Sequence, residues 1–459
     1  MSDLTTPRFP PTGDGGAGPY GTPAPSSGPD LASYAAPYEP VAAPYGSAAP
    51  YAPAPAPFEP TPAAEPVAEQ AEPARSGGRN LYFDFLRALA LFRVVVFHAT
   101  SWVWLPLLFP SMGVMFALAG NLMARSLSGR PSVTVIRGRM RRLLPPLWAV
   151  GGIAVTAMLV QGWQPAEGES AAAWWGRLLY WVVPLSDPPY LTDSHGLPHL
   201  VGDGWAEAMA GPLWYLRTYL QYVLLSPLFL WCLRKAPWAT MGAPVALLAA
   251  MTYDYFSPAA FGPAGELLDV VLWDTTTFAA CWILGMAHQM GIMDRLPRYV
   301  VPSVAPMIAG VGLWYAVEHD WTRVELDGLP LADAIWSFAV VLLLLHFTPD
   351  WSEWPARLRR WGGLISLLNA RAVTVYLWHN VSILVALTLV DHLWGFDVLG
   401  EQAAWLLDSP VLLVLTAWLV IAVAVVAFGW VEDVAAKRRV RLWPAGGPGR
   451  PSGRRARPA

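Results

Sequence analysis

Residues 81–98 read LYFDFLRALALFRVVVFH, and this stretch decides what the chain is. It is apolar enough to lie in lipid, yet it carries Asp84, Arg87, Arg93 and His98. Ionisable side chains inside a membrane span are costly, so they face a protein interior or a water-filled path and mark function. Arg87 and His98 are separated by close to three helical turns at about 3.6 residues per turn, which puts them on nearly one face, about 16 Å apart along the axis. Asp84 sits one turn before Arg87 and can pair with it, while Arg93 points elsewhere. The plainer alternative is an Arg87 that snorkels to the interface and a His98 that is a satisfied interior histidine.

Working outward, the whole chain has membrane character. Of its 459 residues 55% are hydrophobic and only 14% charged, against about 25% charged in ordinary soluble domains. The 25 Trp suit interfacial belts around many spans. Ten spans are expected, at roughly 82–103, 111–127, 143–161, 212–233, 239–256, 268–290, 299–317, 334–348, 372–393 and 409–431, giving an all-α polytopic bundle. Lys and Arg test that count. With the N-terminus inside, 25 of the 30 basic residues fall on cytoplasmic segments, only Arg177 and Arg323 fall outside, and Arg87, Arg93 and Arg217 lie within spans. Such sorting follows the positive-inside rule and puts both termini in the cytoplasm.

The flanks differ from the core. Residues 1–78 are rich in Pro, Ala, Gly and Tyr, with Ala-Ala-Pro-Tyr repeated at 35–38, 42–45 and 48–51. That composition cannot bury a core, so a disordered cytoplasmic tail is expected, and no basic start followed by an apolar stretch suggests a cleaved signal. The three parts are then the disordered tail 1–78, a membrane domain 79–433 and a basic, disordered cytoplasmic tail 434–459. The longest outer loop, about 162–211, holds Glu167, Glu169, Asp187, Asp193, His195, His199, Asp203 and Glu207. It either shapes an acceptor site or is a solvated lid. Cys232 and Cys281 lie in apolar segments and give neither a disulfide framework nor metal-ligand spacing. No metal site is expected.

Three further constellations carry chemistry. Arg137, Arg139, Arg141 and Arg142 precede Pro145-Pro146 at the expected start of the third span. Paired guanidinium groups suit phosphates, although such clusters also fix topology and bind anionic lipid. Tyr376 and His379 share a face of the ninth span, where a structural hydrogen bond is the simpler role. Trp214 and Arg217 open the fourth span from outside, where Arg217 binds an anionic acceptor or snorkels.

Taken together these stretches resemble a known family. Asp84-x-x-Arg87 followed by His98 resembles the first-span signature of the membrane acyltransferase-3 family. Phe116-Ala-Leu-Ala119-Gly120-Asn-Leu is similar to its second-span stretch, with Ala119 where the family usually has Ser. Arg139-Met-Arg141-Arg142 with Pro145 and Trp148 resembles its Arg-x-x-Arg motif, and Leu213-Trp214-Tyr215-Leu216 and Tyr376-Leu-Trp-His379 match later positions. No Glu occurs in Trp214–Tyr222, where many relatives carry one. The resemblance covers about 80–431. It implies a multi-pass plasma-membrane O-acyltransferase taking an acyl group, such as acetyl, from cytoplasmic acyl-CoA. The acceptor is then a hydroxyl on a cell-envelope glycan, a glycolipid or a secondary-metabolite sugar. Under that resemblance His98, Arg87 and Asp84 are catalytic and Arg137, Arg139 and Arg142 bind acyl-CoA. Trp214, Arg217, Tyr376 and His379 line a further pocket. The partners are acyl-CoA, the acceptor and membrane lipids, with no nucleic acid. His98 acts as general base, with an acyl-histidine as the covalent alternative, and Arg87 orients the donor or stabilises the oxyanion. The rival class is a transporter or lipid-handling protein in which Arg87 and His98 form a proton or anion path. A third is a scaffold acting through the N-terminal tail.

Overall fold

The computed structural model describes residues 80–165, 170–197, 200–319, 326 and 328–441. The expected tail 1–78, and with it Glu167, Glu169, His199, Arg323 and the basic residues after Arg441, lie outside them.

The described chain is all-helical, with no strand beyond one isolated bridge between Leu197 and Val201. The helices run α1 (Leu81–Thr100), α2 (Trp104–Leu108), α3 (Ser111–Ser128), α4 (Ser132–Val160), α5 (Ala171–Leu178) and α6 (Trp205–Ala210). Next come α7 (Leu213–Lys235), α8 (Pro237–Thr252), α9 (Pro263–Gln289), α10 (Val300–His319) and α11 (Pro330–His346). The last are α12 (Gly362–Ala370), α13 (Ala372–Trp394), α14 (Asp397–Gln402), α15 (Ala404–Leu407), α16 (Pro410–Phe428) and α17 (Trp430–Ala435).

Each of the expected span segments is occupied by a helix, but among the described residues 5 helices are long and apolar enough to cross a membrane: α4, the Leu268–Gln289 part of α9, α10, α13 and α16. The others fall short for visible reasons. α1 contains Asp84, Arg87 and Arg93, α3 is diluted by Asn121 and Arg125, and α7 contains Arg217, Arg234 and Lys235. α8 and α11 are only 16 and 17 residues long. The ten-span count therefore goes beyond what these helices establish.

α1 is the hub. It packs against α3, α12, α13 and α16. Its start is fixed from a distant part of the chain: Leu81 N donates to the Trp351 carbonyl at 3.0 Å and Asn80 Nδ2 to the Pro349 carbonyl at 2.9 Å. Asn80 also caps the helix by accepting from Tyr82 N. The helix stops at Ser101, which takes the left-handed conformation and returns its N–H to Phe97.

α3 and α9 are pressed together by small residues. A Cβ on Gly120 would sit 2.1 Å from the Trp282 carbonyl oxygen, and one on Gly285 would sit 1.9 Å from that of Ala117. Close approach through small residues is how membrane helices gain dispersion contacts when lipid offers no hydrophobic drive. Around this seam Phe116, Tyr222 and Trp282 are fully buried.

Two expectations about α4 are corrected. The helix begins at Ser132, so the arginines lie inside it and Pro145-Pro146 fall in its interior rather than at its start. Proline removes the bonds that the carbonyls four residues earlier would accept, here those of Arg141 and Arg142. Membrane helices tolerate that where other groups satisfy the freed carbonyls. The described part of 162–211, the expected outer loop, is also built rather than loose. Gln161 and the Trp205 indole both donate to the His195 carbonyl, Trp181 to that of Pro189, and Asp203 accepts from Gly196 N.

Candidate functional site

A cavity of about 310 Å³ opens among α1, α3, α4, α7, α12, α13 and α17. Arg87 projects into it from α1, Arg139 and Arg142 from α4, Tyr215 and Tyr219 from α7, and Tyr376 from α13. Ala119, the position that departs from the family pattern, lies in its wall.

Local structure holds Arg87 in place. Its Nη1 lies 3.6 Å from Asp84 Oδ1, the expected one-turn pair, and donates to Asn369 Oδ1 at 3.1 Å. Asn369 is itself fixed, donating from Nδ2 to the carbonyls of Asp84 and Ile365, both at 2.8 Å. An amide that accepts from the guanidinium and donates to the backbone of the same helix locks the rotamer of Arg87. Arg139 donates to the Tyr219 hydroxyl at 3.4 Å. Arg137 is exposed and stays outside the cavity.

The expected histidines lie beyond the cavity wall and together. Ring contacts run from Tyr215 to Tyr376 at 4.8 Å, from Tyr376 to His379 at 5.3 Å and from His379 to His98 at 5.0 Å. His98 is exposed in the last turn of α1, whereas His379 is buried. His379 Nδ1 lies 2.5 Å from the Tyr376 carbonyl. A carbonyl only accepts, so Nδ1 carries the hydrogen and Nε2 presents a lone pair when the ring is neutral. That Nε2 is buried and has no hydrogen-bond partner among the described residues. The Arg93 guanidinium lies over the Phe97 ring at 4.8 Å, and that ring in turn contacts His98 at 5.5 Å.

Arg217 does neither of the things expected of it. It is 2% exposed and held between Asp187, at 2.7 Å, and Asp274. Both carboxylates already use its charge, so it ties the segment carrying Asp187 to α9 rather than waiting for an anion. Trp214 stacks near Phe278 and borders Tyr215 without lining the cavity.

Several cavity residues escaped the sequence reasoning. Asn369 is a lone amide in the apolar run Leu-Leu-Asn369-Ala, which is the kind of signal that flags a buried hydrogen bond. Glu432 also lines the cavity and accepts from Thr374 N and Oγ1, both at 2.5 Å. Burial pushes its carboxyl above the usual range, against the pull of the two Thr374 bonds and Arg371. Arg371, expected as a topological charge, is 1% exposed and paired with Asp433 at 2.7 Å. Among the described residues no group of three His, Cys, Asp or Glu is placed to hold a metal ion.

Comparison with known proteins follows the same outline. The family model described as an acyltransferase domain, of the acyltransferase-3 type, matches residues 80–431. No curated protein and no solved structure gives a match.

Proposed function

The chain belongs to the acyltransferase-3 family, a membrane acyltransferase, and from that premise we propose that it moves an acyl group, such as acetyl, from acyl-CoA to a hydroxyl. The acceptor would be a glycan, glycolipid or metabolite sugar reached from the outer side of the plasma membrane. The charge sorting of the sequence supports cytoplasmic termini. One observation carries the reading: a cavity bearing Arg87, Arg139 and Arg142 is joined through Tyr376 to the His379–His98 pair. Guanidinium groups suit the phosphates of the donor, and in this reading its thioester reaches past Tyr376 towards the histidines.

In this reading His98 takes the proton of the acceptor hydroxyl as that oxygen attacks the thioester carbonyl carbon. The tetrahedral intermediate collapses, the C–S bond breaks, and the departing thiolate takes the proton back from the imidazolium. His379 positions His98 by packing its ring against it at 5.0 Å, and its own ring is oriented by the Nδ1–H bond to the Tyr376 carbonyl. Arg87 has two roles open to it from the sequence, and distance favours one. It lies about 16 Å from His98 along α1, too far to share an oxyanion at the same carbon. Arg87, held by Asp84 and Asn369, therefore orients the donor.

The test is acyl transfer by purified full-length protein in lipid, normalised to folded protein. General base catalysis typically contributes about 10²- to 10⁴-fold, so His98→Ala and His98→Gln should both lose about that factor in kcat. A His98→Gln variant working at near wild-type rate would sink the assignment and return α1 to the transporter reading, since glutamine keeps hydrogen bonding but cannot take the proton.

A further inference from the structure

The family match stops at residue 431, but the cavity wall does not. Glu432, Ala436 and Arg438 line it as well, and all three come from the segment that follows the last long helix. That segment was expected to be a basic tail from 434 onward, yet as far as Arg441 it is folded against the bundle.

Three anchors hold it. Arg371 donates to the Gly429 carbonyl at 2.8 Å, to Asp433 Oδ2 at 2.7 Å and to the Arg441 carbonyl at 2.5 Å. Arg441 N closes the loop onto Asp433 Oδ2 at 3.1 Å. Glu432 accepts from Thr374 N in the first turn of α13, where the helix end has backbone N–H groups to satisfy.

Between these anchors the chain reverses in a tight turn. Lys437 N donates to Val434 at 3.0 Å and Arg438 N to Asp433 at 2.7 Å, and Lys437 has φ 55°. That is the hydrogen-bond pattern of a Schellman ending, whose left-handed position is usually glycine. A lysine there meets the steric clash of its Cβ with the following carbonyl that a glycine avoids. What the turn achieves is to bring Arg438 back to the cavity. The cavity then has Arg87, Arg139, Arg142 and Arg438 around it, and among the described lining residues its one carboxylate is Glu432, already engaged by Thr374. Like charges gathered at this density repel unless a polyanion joins them.

We propose that Arg438 is a phosphate-binding residue of the donor site, carried there by the folded segment 430–441 and aimed by the left-handed turn at Lys437. The proposal rests on the acyl-CoA reading, and the probes below separate the two. Binding of coenzyme A, and separately of inorganic pyrophosphate, is measured by titration calorimetry on the full-length protein in lipid nanodiscs. Arg438→Gln should weaken coenzyme A binding about 10- to 100-fold, the scale of a hydrogen bond to a charged group. Arg438→Lys should fall between Gln and wild type, because it keeps the charge but loses the planar fork. Lys437→Pro cannot adopt φ 55° and should weaken binding as Arg438→Gln does, although it leaves Arg438 in the chain. Lys437→Gly and Arg439→Gln should bind as wild type.

Unchanged coenzyme A affinity in Arg438→Gln overturns the proposal. A wild-type protein that binds pyrophosphate but not coenzyme A, with pyrophosphate binding lost in Arg438→Gln, keeps the anion site and removes the acyl-CoA reading. A wild-type protein that binds neither overturns both.

Discussion

Substituting Gly285 by alanine adds one methyl group, and the structure says where it must go. The new Cβ would lie 1.9 Å from the Ala117 carbonyl oxygen and 2.7 Å from its carbonyl carbon. Ordinary van der Waals contact begins near 3.4 Å, so α3 and α9 must part by roughly 1.5 Å along that line. The obstructing atoms are backbone, and no side-chain rotation relieves them. Overpacking of this kind typically costs about 1–3 kcal/mol. The effect should reach the site as well, because α3 carries Met115, Ala119 and Leu122 in the cavity wall. A displacement of about 1 Å remote from the chemistry can cost about 10²-fold in rate. Gly285→Ala should therefore lower the melting temperature in detergent and cut acyl transfer per folded protein by more than its stability loss explains. Gly242→Ala is the control: nothing lies within 4 Å of its Cβ in the middle of α8. There alanine should be neutral or slightly stabilising, since it removes the entropic cost of a helical glycine. Equal melting temperatures and equal rates for the two variants would refute the view that α3 and α9 touch through their backbones.

Two further outcomes follow from contacts at the cavity. Asn369→Ala removes the acceptor that fixes Arg87; a hydrogen bond to a charged group contributes about 1.5–3 kcal/mol, so the KM for acyl-CoA should rise about 10- to 100-fold with a smaller change in kcat, as initial-rate kinetics would show. Burial alone would raise the Asp433 carboxyl, but hydrogen bonds from Arg371 and Arg441 N and the charges of Arg371 and Arg438 overcome it and hold it below the usual range. A depressed carboxylate contributes stability that is present above its ordinary value near 3.9 and lost as pH falls. Amide-exchange protection in residues 430–441, taken relative to the intrinsic exchange rate at each pH, should therefore fall below about pH 4 in the wild type and lose that acid-side fall in Asp433→Asn; an unchanged acid-side profile in that variant would contradict the Arg371–Asp433 lock.

What could be read from the sequence was whatever depends on short-range spacing or on composition. The Asp84–Arg87 pair is one turn of one helix, so the sequence alone placed it. His98 and His379 were each picked out by their own helix, but their 5.0 Å approach depends on how α1 packs against α13, and spacing carries no such information. Arg371 shows the opposite failure. A basic residue at a helix boundary counts as a topological charge, and only the return of the chain after α16 makes it a buried ion pair. Arg217 failed for a similar reason, because its partners come from an outer segment and from α9, far along the chain. Pro145 and Pro146 misled by a local rule: proline favours helix starts, yet α4 begins well before them.

The distance in sequence between Arg87 and its amide partner has a consequence in time. Asn369 is 282 residues further along the chain. At a synthesis rate of about 5–20 residues per second, Arg87 emerges roughly 15–60 s before the group that fixes it. During that interval Arg87 has Asp84 on its own helix but not the amide that fixes its rotamer. Biogenesis is then expected to have a late step, in which α1 reaches its final packing only after α12 is made. A ribosome stalled before residue 369 would leave α1 accessible to membrane quality control, and release past that point would protect it.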